Sequence, residues 1–222
     1  MAENAESRIV EGVIAAILEQ RLKAGTKLSE PELCEIYDCS RTDVRRALVV
    51  LATRKTVELK RNRGAFVRIP SQPEAHNVFQ ARRAIEKTLA RNAAQGATKA
   101  DLAELDGLVQ AEVDARRNSD RARAIRLSGE FHVVLAKLGQ NDVLAEFLHE
   151  LIMRSSLIIG FFAGSNHVLC QDNEHGEIAA AIRSGDGQKA SDLVEAHLRH
   201  IEAQLVFDTV PETSDLRRIL TR

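Results

Sequence analysis

The chain has 222 residues and a 44% hydrophobic content, enough to bury one large core or two small ones. A net charge of −1, seven Phe, one Tyr and no Trp exclude disorder and a uniformly basic coat, while four Pro and twelve Gly leave long stretches unbroken, so a mainly α protein is expected. No apolar run approaches the roughly 18–20 residues that cross a bilayer and the polar start has no signal-peptide core, so the expectation is a cytoplasmic protein without membrane contact; Cys34, Cys39 and Cys170 form no CxxC pair and read as reduced, structural thiols.

Taken in chain order, Ile9, Val10, Val13, Ile14 and Ile17 give a first amphipathic helix over 7–20, with Gly25 ending it. Ser29 and Glu32 have the spacing of a capping box and open a short helix through Leu33 and Tyr37. Asp38-Cys39 is a turn, and Ser40 caps a further helix whose buried stripe is Val44, Ala47, Leu48 and Leu51. That stripe leaves Arg41, Thr42, Arg45 and Arg46 near exposed N-terminal turns, the layout of a recognition helix. Residues 56–60 and 65–68 read as two strands around Arg61-Asn62-Arg63-Gly64, a cationic turn in which Gly64 can take positive φ.

The charge distribution agrees. Residues 1–72 hold 13 Lys and Arg against 10 Asp and Glu, and the remainder holds 18 against 22. Between Cys39 and Pro70 nine basic residues face only Asp43 and Glu58, the footprint of a module that meets phosphates. Helix, turn, basic helix and basic hairpin in succession predict a winged helix-turn-helix over 1–69, which places a helix in the major groove and Arg61, Arg63 and Gly64 near phosphates or the minor groove. The run Leu28-Ser29-Glu30, Ser40-Arg41-Thr42-x-Val44-Arg45-x-Ala47-Leu48 and Asn62-Arg63-Gly64-Ala65-Phe66-Val67 resembles the DNA-binding domain of the GntR family of bacterial transcription regulators. The resemblance implies that Arg41 and Arg45 contact bases or nearby phosphates, Thr42 a phosphate, and Gly64 the minor groove. It departs at Pro31, Asp43 and Arg46.

Pro70 and Pro73 mark a linker over 70–74. Helical periodicity then runs to residue 206, broken near 95–97, 118–119, 139–140, 164–166 and 185–187, which predicts a six-helix antiparallel bundle over 75–206 and a short charged tail, 207–222, containing Pro211. His175 and His197 are 22 residues apart with their midpoint in the Gly185-Asp186-Gly187 turn, so an antiparallel helix pair sets them level, and both share stripes with apolar residues. His132 lies on the inward stripe Ser128, Phe131, Leu135; His149 is a rival on a flanking face, and His76, His167 and His200 read as surface or helix-end residues, with His200 also open as a residue that supports a ligand from behind. Three inward imidazoles are either satisfied core residues or ligands to a divalent transition metal, zinc or nickel. A metal-dependent hydrolase is the alternative function, weakened because no carboxylate shares the histidines' stripes as a general base. Arg82 lies inward with Val78, Ile85 and Leu89, and needs an anionic partner: Glu86 one turn on, or an anionic ligand.

Arg82-x-x-Ile85-Glu86, Phe131-His132, Gly139-x-Asn141, Glu174-His175-x-x-Ile178 and His197 resemble the FCD effector domain of the FadR branch of that family, and six helices resemble its VanR-type subgroup. The resemblance implies a metal held by His132, His175 and His197, with Ser128 where the family has Asp, so that water or the effector completes the shell. It further implies that Arg82, beside Ser128, pairs with a small carboxylated metabolite. Together these features predict a homodimeric, non-enzymatic regulator that binds an inverted-repeat operator in double-stranded DNA.

Overall fold

In the computed structural model, residues 4–163, 173–207 and 215–221 are described. The expected break at 164–166, His167, Cys170 and Pro211 lie outside them. Cys34 and Cys39 are free thiols.

Helix α1 spans Ala5–Leu18, two residues earlier than its periodicity suggests, because Asn4 caps it by accepting from the Ser7 backbone N–H at 2.7 Å. Beyond its cap at Glu19 the chain leaves the helical path at Gln20, which takes φ 57°; Gly25, with φ 84°, instead turns the chain into β1, Lys27–Leu28. That two-residue strand is too short to show alternation and is absent from the sequence reading. Helix α2, Glu30–Tyr37, starts after Ser29, whose backbone is extended but whose side chain makes no capping bond. The expected capping box between Ser29 and Glu32 therefore does not form, and Pro31 sits in the first turn, where no backbone donor is required.

Helix α3, Arg41–Thr53, carries the box instead: Asp43 N–H donates to Ser40 Oγ and Ser40 N–H to Asp43 Oδ2, both at 3.2 Å. Strands β2, Val57–Lys60, and β3, Gly64–Val67, pair antiparallel with Leu59 opposite Ala65, and β1 adds to the far edge of β3 in the order β1-β3-β2. The core beneath is Ile9, Val13, Ile17, Leu33, Val44, Leu48, Leu51 and Val67.

The expected linker 70–74 is shorter than it reads, because helix α4 runs Gln72–Gly96. Ser71 caps it, and Pro73 falls in the first turn, where no backbone donor is required. Five more helices follow: α5 Lys99–Arg117, α6 Arg121–Leu138, α7 Asp142–Phe162, α8 Glu174–Arg183 and α9 Gly187–Ala203. Phe79, Leu105, Phe131, Leu135, Ile178, Val194 and Leu198 fill their common core. Among the described residues no helix is long and apolar enough to cross a membrane.

The two units are joined by more than the chain between them. Leu157 of α7 is buried in the core of the winged unit. Glu74 accepts from Arg68 Nη1 and from Arg154 Nη2, both at 2.8 Å, tying the exit of β3 to α4 and α7. The tail returns as α10, Leu216–Leu220, and buries Leu216 in the same core. Arg21 Nη1 donates to the Ile219 carbonyl at 2.6 Å, and Arg217 pairs with Glu35. Leu216→Ala should therefore cost about 2–3 kcal/mol, as for other buried leucines, measured as a lower urea midpoint; an unchanged midpoint would mean that the docked tail contributes nothing.

Candidate functional site

Two sites emerge, a basic face and a buried histidine centre. On the first, the burial of Val44, Ala47, Leu48 and Leu51 turns Arg41, Thr42, Arg45 and Arg46 outward, and all four are exposed. The hydrogen bond from Ser40 holds the Asp43 carboxyl below its ordinary pKa, so Asp43 remains an ionised cap at the start of this helix. Arg45 Nε lies 3.0 Å from Glu30 Oε2, and that hydrogen bond raises the guanidinium's pKa. Arg61, Asn62, Arg63 and Gly64 are exposed at the hairpin tip, where Arg63 N–H donates to the Lys60 carbonyl at 3.0 Å. Gly64 has φ 95°, and a Cβ there would come no nearer than 3.7 Å to Lys27, so the glycine serves the turn's conformation and not a steric need.

The second site is assembled from five helices. His132 on α6, His175 on α8 and His197 on α9 are each 3% exposed or less. His175 Nε2 lies 3.2 Å from His197 Nε2, which in turn lies 3.3 Å from His132 Nε2. Their outer nitrogens all meet carboxylates: His132 Nδ1 to Glu86 Oε2 at 2.6 Å, His175 Nδ1 to Glu112 Oε2 at 2.6 Å, and His197 Nδ1 to Glu174 Oε2 at 2.9 Å. Phe131 stacks on the His175 ring with centroids 4.2 Å apart.

Protonation follows from these contacts. Burial pushes the Glu86 carboxyl up, but Arg82 and then His132 outweigh it and hold the pKa at about 2. Burial likewise opposes ionisation of Glu112, and its bond to His175, with Arg116, prevails to give about 2. For Glu174 the hydrogen bonds from His197 and His200 overcome burial and lower the pKa. Burial depresses His132 to about 4 despite Glu86, and His197 to about 3 despite Glu174, so both rings are neutral at pH 7. An ionised carboxylate only accepts, so Nδ1 of His132 and of His197 carries the ring proton and their Nε2 atoms present lone pairs toward the centre, where His175 Nε2 also points.

Three buried imidazole nitrogens converging in this way form a donor set that could hold a divalent cation. For metal–nitrogen bonds of about 2.0–2.1 Å at the tetrahedral angle, donors stand about 3.3–3.4 Å apart, close to the separations of His197 Nε2 from His175 Nε2 and from His132 Nε2. Imidazoles oriented by carboxylates are also the usual surroundings of such ligands. Ser128 lies half-buried on α6, one turn before His132.

Arg82 is 3% exposed and faces the same interior. Its Nε donates to Glu86 Oε1 at 2.6 Å and its Nη1 to Ser155 Oγ at 3.0 Å. Its Nη2 is buried and meets no acceptor among the described residues. A guanidinium held this way offers a donor to an anion.

The sequence reading named the three histidines, Arg82 and the Arg82–Glu86 pair, and the structure brings them together. It missed Glu112 and Ser155, carried Glu174 only as part of the family motif, and left His200 open between a helix-end residue and one supporting a ligand. His200 Nδ1 meets Glu174 Oε1 at 2.7 Å and so supports the carboxylate that holds His197. The sequence offered no carboxylate on the histidines' own stripes; Glu86 and Glu112 reach the imidazoles from α4 and α5, which the stripes of α6, α8 and α9 do not reveal. Each of these carboxylates already bonds an imidazole and an arginine, so neither is a free base. The signal was present as Glu86 on the stripe Phe79, Arg82, Leu89, Ala93, and as Glu112 between buried Leu105 and Ala115. His149 is exposed and outside the cluster.

Comparison with known proteins follows this division. Residues 5–67 match the model for bacterial regulatory proteins of the gntR family, and residues 77–200 match the FCD domain. The chain is 29% identical over 201 residues to the Uxu operon regulator of Haemophilus influenzae, covering 82% of this chain and 74% of that protein. It is 26% identical over 209 residues to the HTH-type transcriptional regulator LutR of Bacillus subtilis, covering 82% and 92%. Among solved structures, E. coli McbR/YncC gives a TM-score of 0.79 at 18% identity, and a putative transcriptional regulator GntR from Rhodococcus sp. RHA1 gives 0.74 at 24%, each covering 90% of this chain and 96% of the other. At those identities the structural likeness shows the fold alone. The relatives named are an operon regulator and a transcriptional regulator.

Proposed function

Because the chain belongs to the GntR family of bacterial transcription regulators and carries an FCD domain, we propose that it is a ligand-responsive regulator that reads an inverted-repeat operator as a homodimer. Arg41, Thr42, Arg45 and Arg46 meet the major groove and its phosphates, and Arg61, Arg63 and Gly64 follow the neighbouring backbone or minor groove. A two-fold dimer sets the half-site spacing.

The observation that carries the ligand reading is the convergence of three Nε2 atoms, together with the unmatched Nη2 of Arg82, whose guanidinium shares Glu86 with His132. His132, His175 and His197 would hold a divalent metal, zinc or nickel, and the metal when bound supplies a Lewis-acidic anchor for a carboxylate oxygen. Arg82 Nη2 takes a further oxygen of the same small carboxylated metabolite, with Glu86 and Ser155 fixing the guanidinium. Ser128, a neutral side chain, leaves the rest of the coordination to water or to the metabolite.

Helix α7 connects this pocket with the winged unit. Ser155 accepts from Arg82, Arg154 next to it holds Glu74 together with Arg68, and Leu157 lies in the winged core. A ligand that shifts Arg82 thereby shifts the relative placement of the winged unit, and DNA affinity changes by the coupling free energy.

Replacing Glu112 by Gln removes the charge that orients His175 while leaving all three imidazoles. Metal affinity should then fall about 10–100-fold, as for other groups behind a ligand, measured by zinc or nickel titration of the dialysed protein. An unchanged affinity would show that His175 does not serve as a ligand.

A further inference from the structure

A cavity of about 660 Å3 lies away from the histidine centre, between α1 of the winged unit and α5, α6 and α7 of the bundle. None of His132, His175, His197 or Arg82 lines it. Its volume falls within the range of about 300–1,000 Å3 typical of small-molecule pockets, which favour the junctions between domains. The wall is mostly hydrocarbon, with Ala15 and Leu18 contributed by α1 and Met153 by α7.

Charges at its edge are already matched. Arg126 Nη1 donates to Glu130 Oε1 at 2.6 Å, and Glu104 lies 3.6 Å from Lys137. Exposed His149 is the remaining polar side chain of the wall. An occupant complementary to these surroundings is uncharged, largely hydrocarbon, and carries one hydrogen-bonding end for the imidazole.

Two glycines widen the cavity. Glycine is among the least favourable residues in a helix interior, and a packing partner usually explains its presence. Gly12 in α1 follows that rule: a Cβ there would stand 2.1 Å from Tyr37 Oη. Gly107 in α5 and Gly129 in α6 do not, because a Cβ at either meets nothing within 4 Å. Both line the cavity. No contact among the described residues requires these glycines; what they provide is room.

We propose that this cavity is a second ligand site, taking a neutral, mostly hydrocarbon small molecule, aromatic or aliphatic, with a single polar end at His149. It goes beyond the histidine-centred reading and does not depend on it. The occupant touches Ala15 and Leu18 of the winged unit and Gly107, Gly129 and Met153 of the bundle together, so it bridges the units and holds α1 against α6 and α7. The two sites then accept ligands of opposite character, an anion at the histidines and an apolar molecule here.

The test is a fluorescence titration of the full chain with Nile red, a neutral and largely hydrocarbon dye. The unmodified protein should bind one dye per chain saturably, with blue-shifted emission. The variant Gly107→Leu/Gly129→Leu fills the cavity from both walls at positions with room for a side chain and gains helix propensity. It should melt at or above the temperature of the unmodified protein and bind the dye at least tenfold more weakly, with each single substitution intermediate. Absence of saturable binding to the unmodified protein, or unchanged binding to the single and double variants, overturns the proposal. So does sedimentation showing that the variants dissociate into a smaller species than the unmodified chain, which would make the cavity a seat for a second copy.

Discussion

Arg45→Ala is expected to weaken operator binding by about a hundredfold or more while leaving zinc or nickel binding and the melting temperature unchanged. A lost base contact costs about 1–3 kcal/mol, and a two-fold dimer loses it in both half-sites. Arg45 is exposed on α3 and its partner Glu30 is on the surface, so its ion pair contributes little to the fold. Mobility-shift titrations at fixed salt against an operator selected from the protein's own genome measure the effect, and the salt must be held constant because phosphate contacts dominate affinity. Retained operator affinity would remove α3 as the recognition helix.

The second large effect is expected at His197, the imidazole whose Nε2 lies against both of the others. His197→Ala removes one of three converging donors, and should cost more than a change behind the ligands, about a thousandfold or more in metal affinity against the 10–100-fold of such changes. Glu174 keeps its bond with His200 in that variant, which limits the penalty of a stranded carboxylate. Calorimetric titration with zinc checks it. Binding as tight as in the unmodified chain would mean that the three imidazoles are core residues.

Much of this arrangement was legible in the sequence because helical periodicity fixes which side of a helix is buried. The 22-residue spacing of His175 and His197 about Gly185-Asp186-Gly187 placed them level, and they face each other at 3.2 Å. The cap at Ser40 and the stripe Val44, Ala47, Leu48, Leu51 similarly fixed the direction of Arg41 and Arg45. Periodicity within one helix does not say which neighbour it meets, so the pairing of His175 with Glu112 of α5 and of Arg82 with Ser155 of α7 was not readable. Contacts across still longer separations were also hidden. Leu216 enters the winged core from the far end of the chain, and β1 gains its identity only by pairing with β3. Asp43, which departs from the family pattern, has a local purpose in the capping box with Ser40.

The central claim, that a metal at the three histidines receives a carboxylated effector, is tested most directly by thermal unfolding against a panel of carboxylated metabolites, with zinc present and again with a chelator. A ligand at 100 times its dissociation constant stabilises by about 2.7 kcal/mol, a shift of a few degrees for a chain of this size. The account predicts that zinc alone raises the melting temperature, that one class of carboxylate raises it further, and that the chelator abolishes both shifts. A melting temperature that neither zinc, nor any carboxylate, nor the chelator changes would contradict it and leave His132, His175 and His197 as core residues.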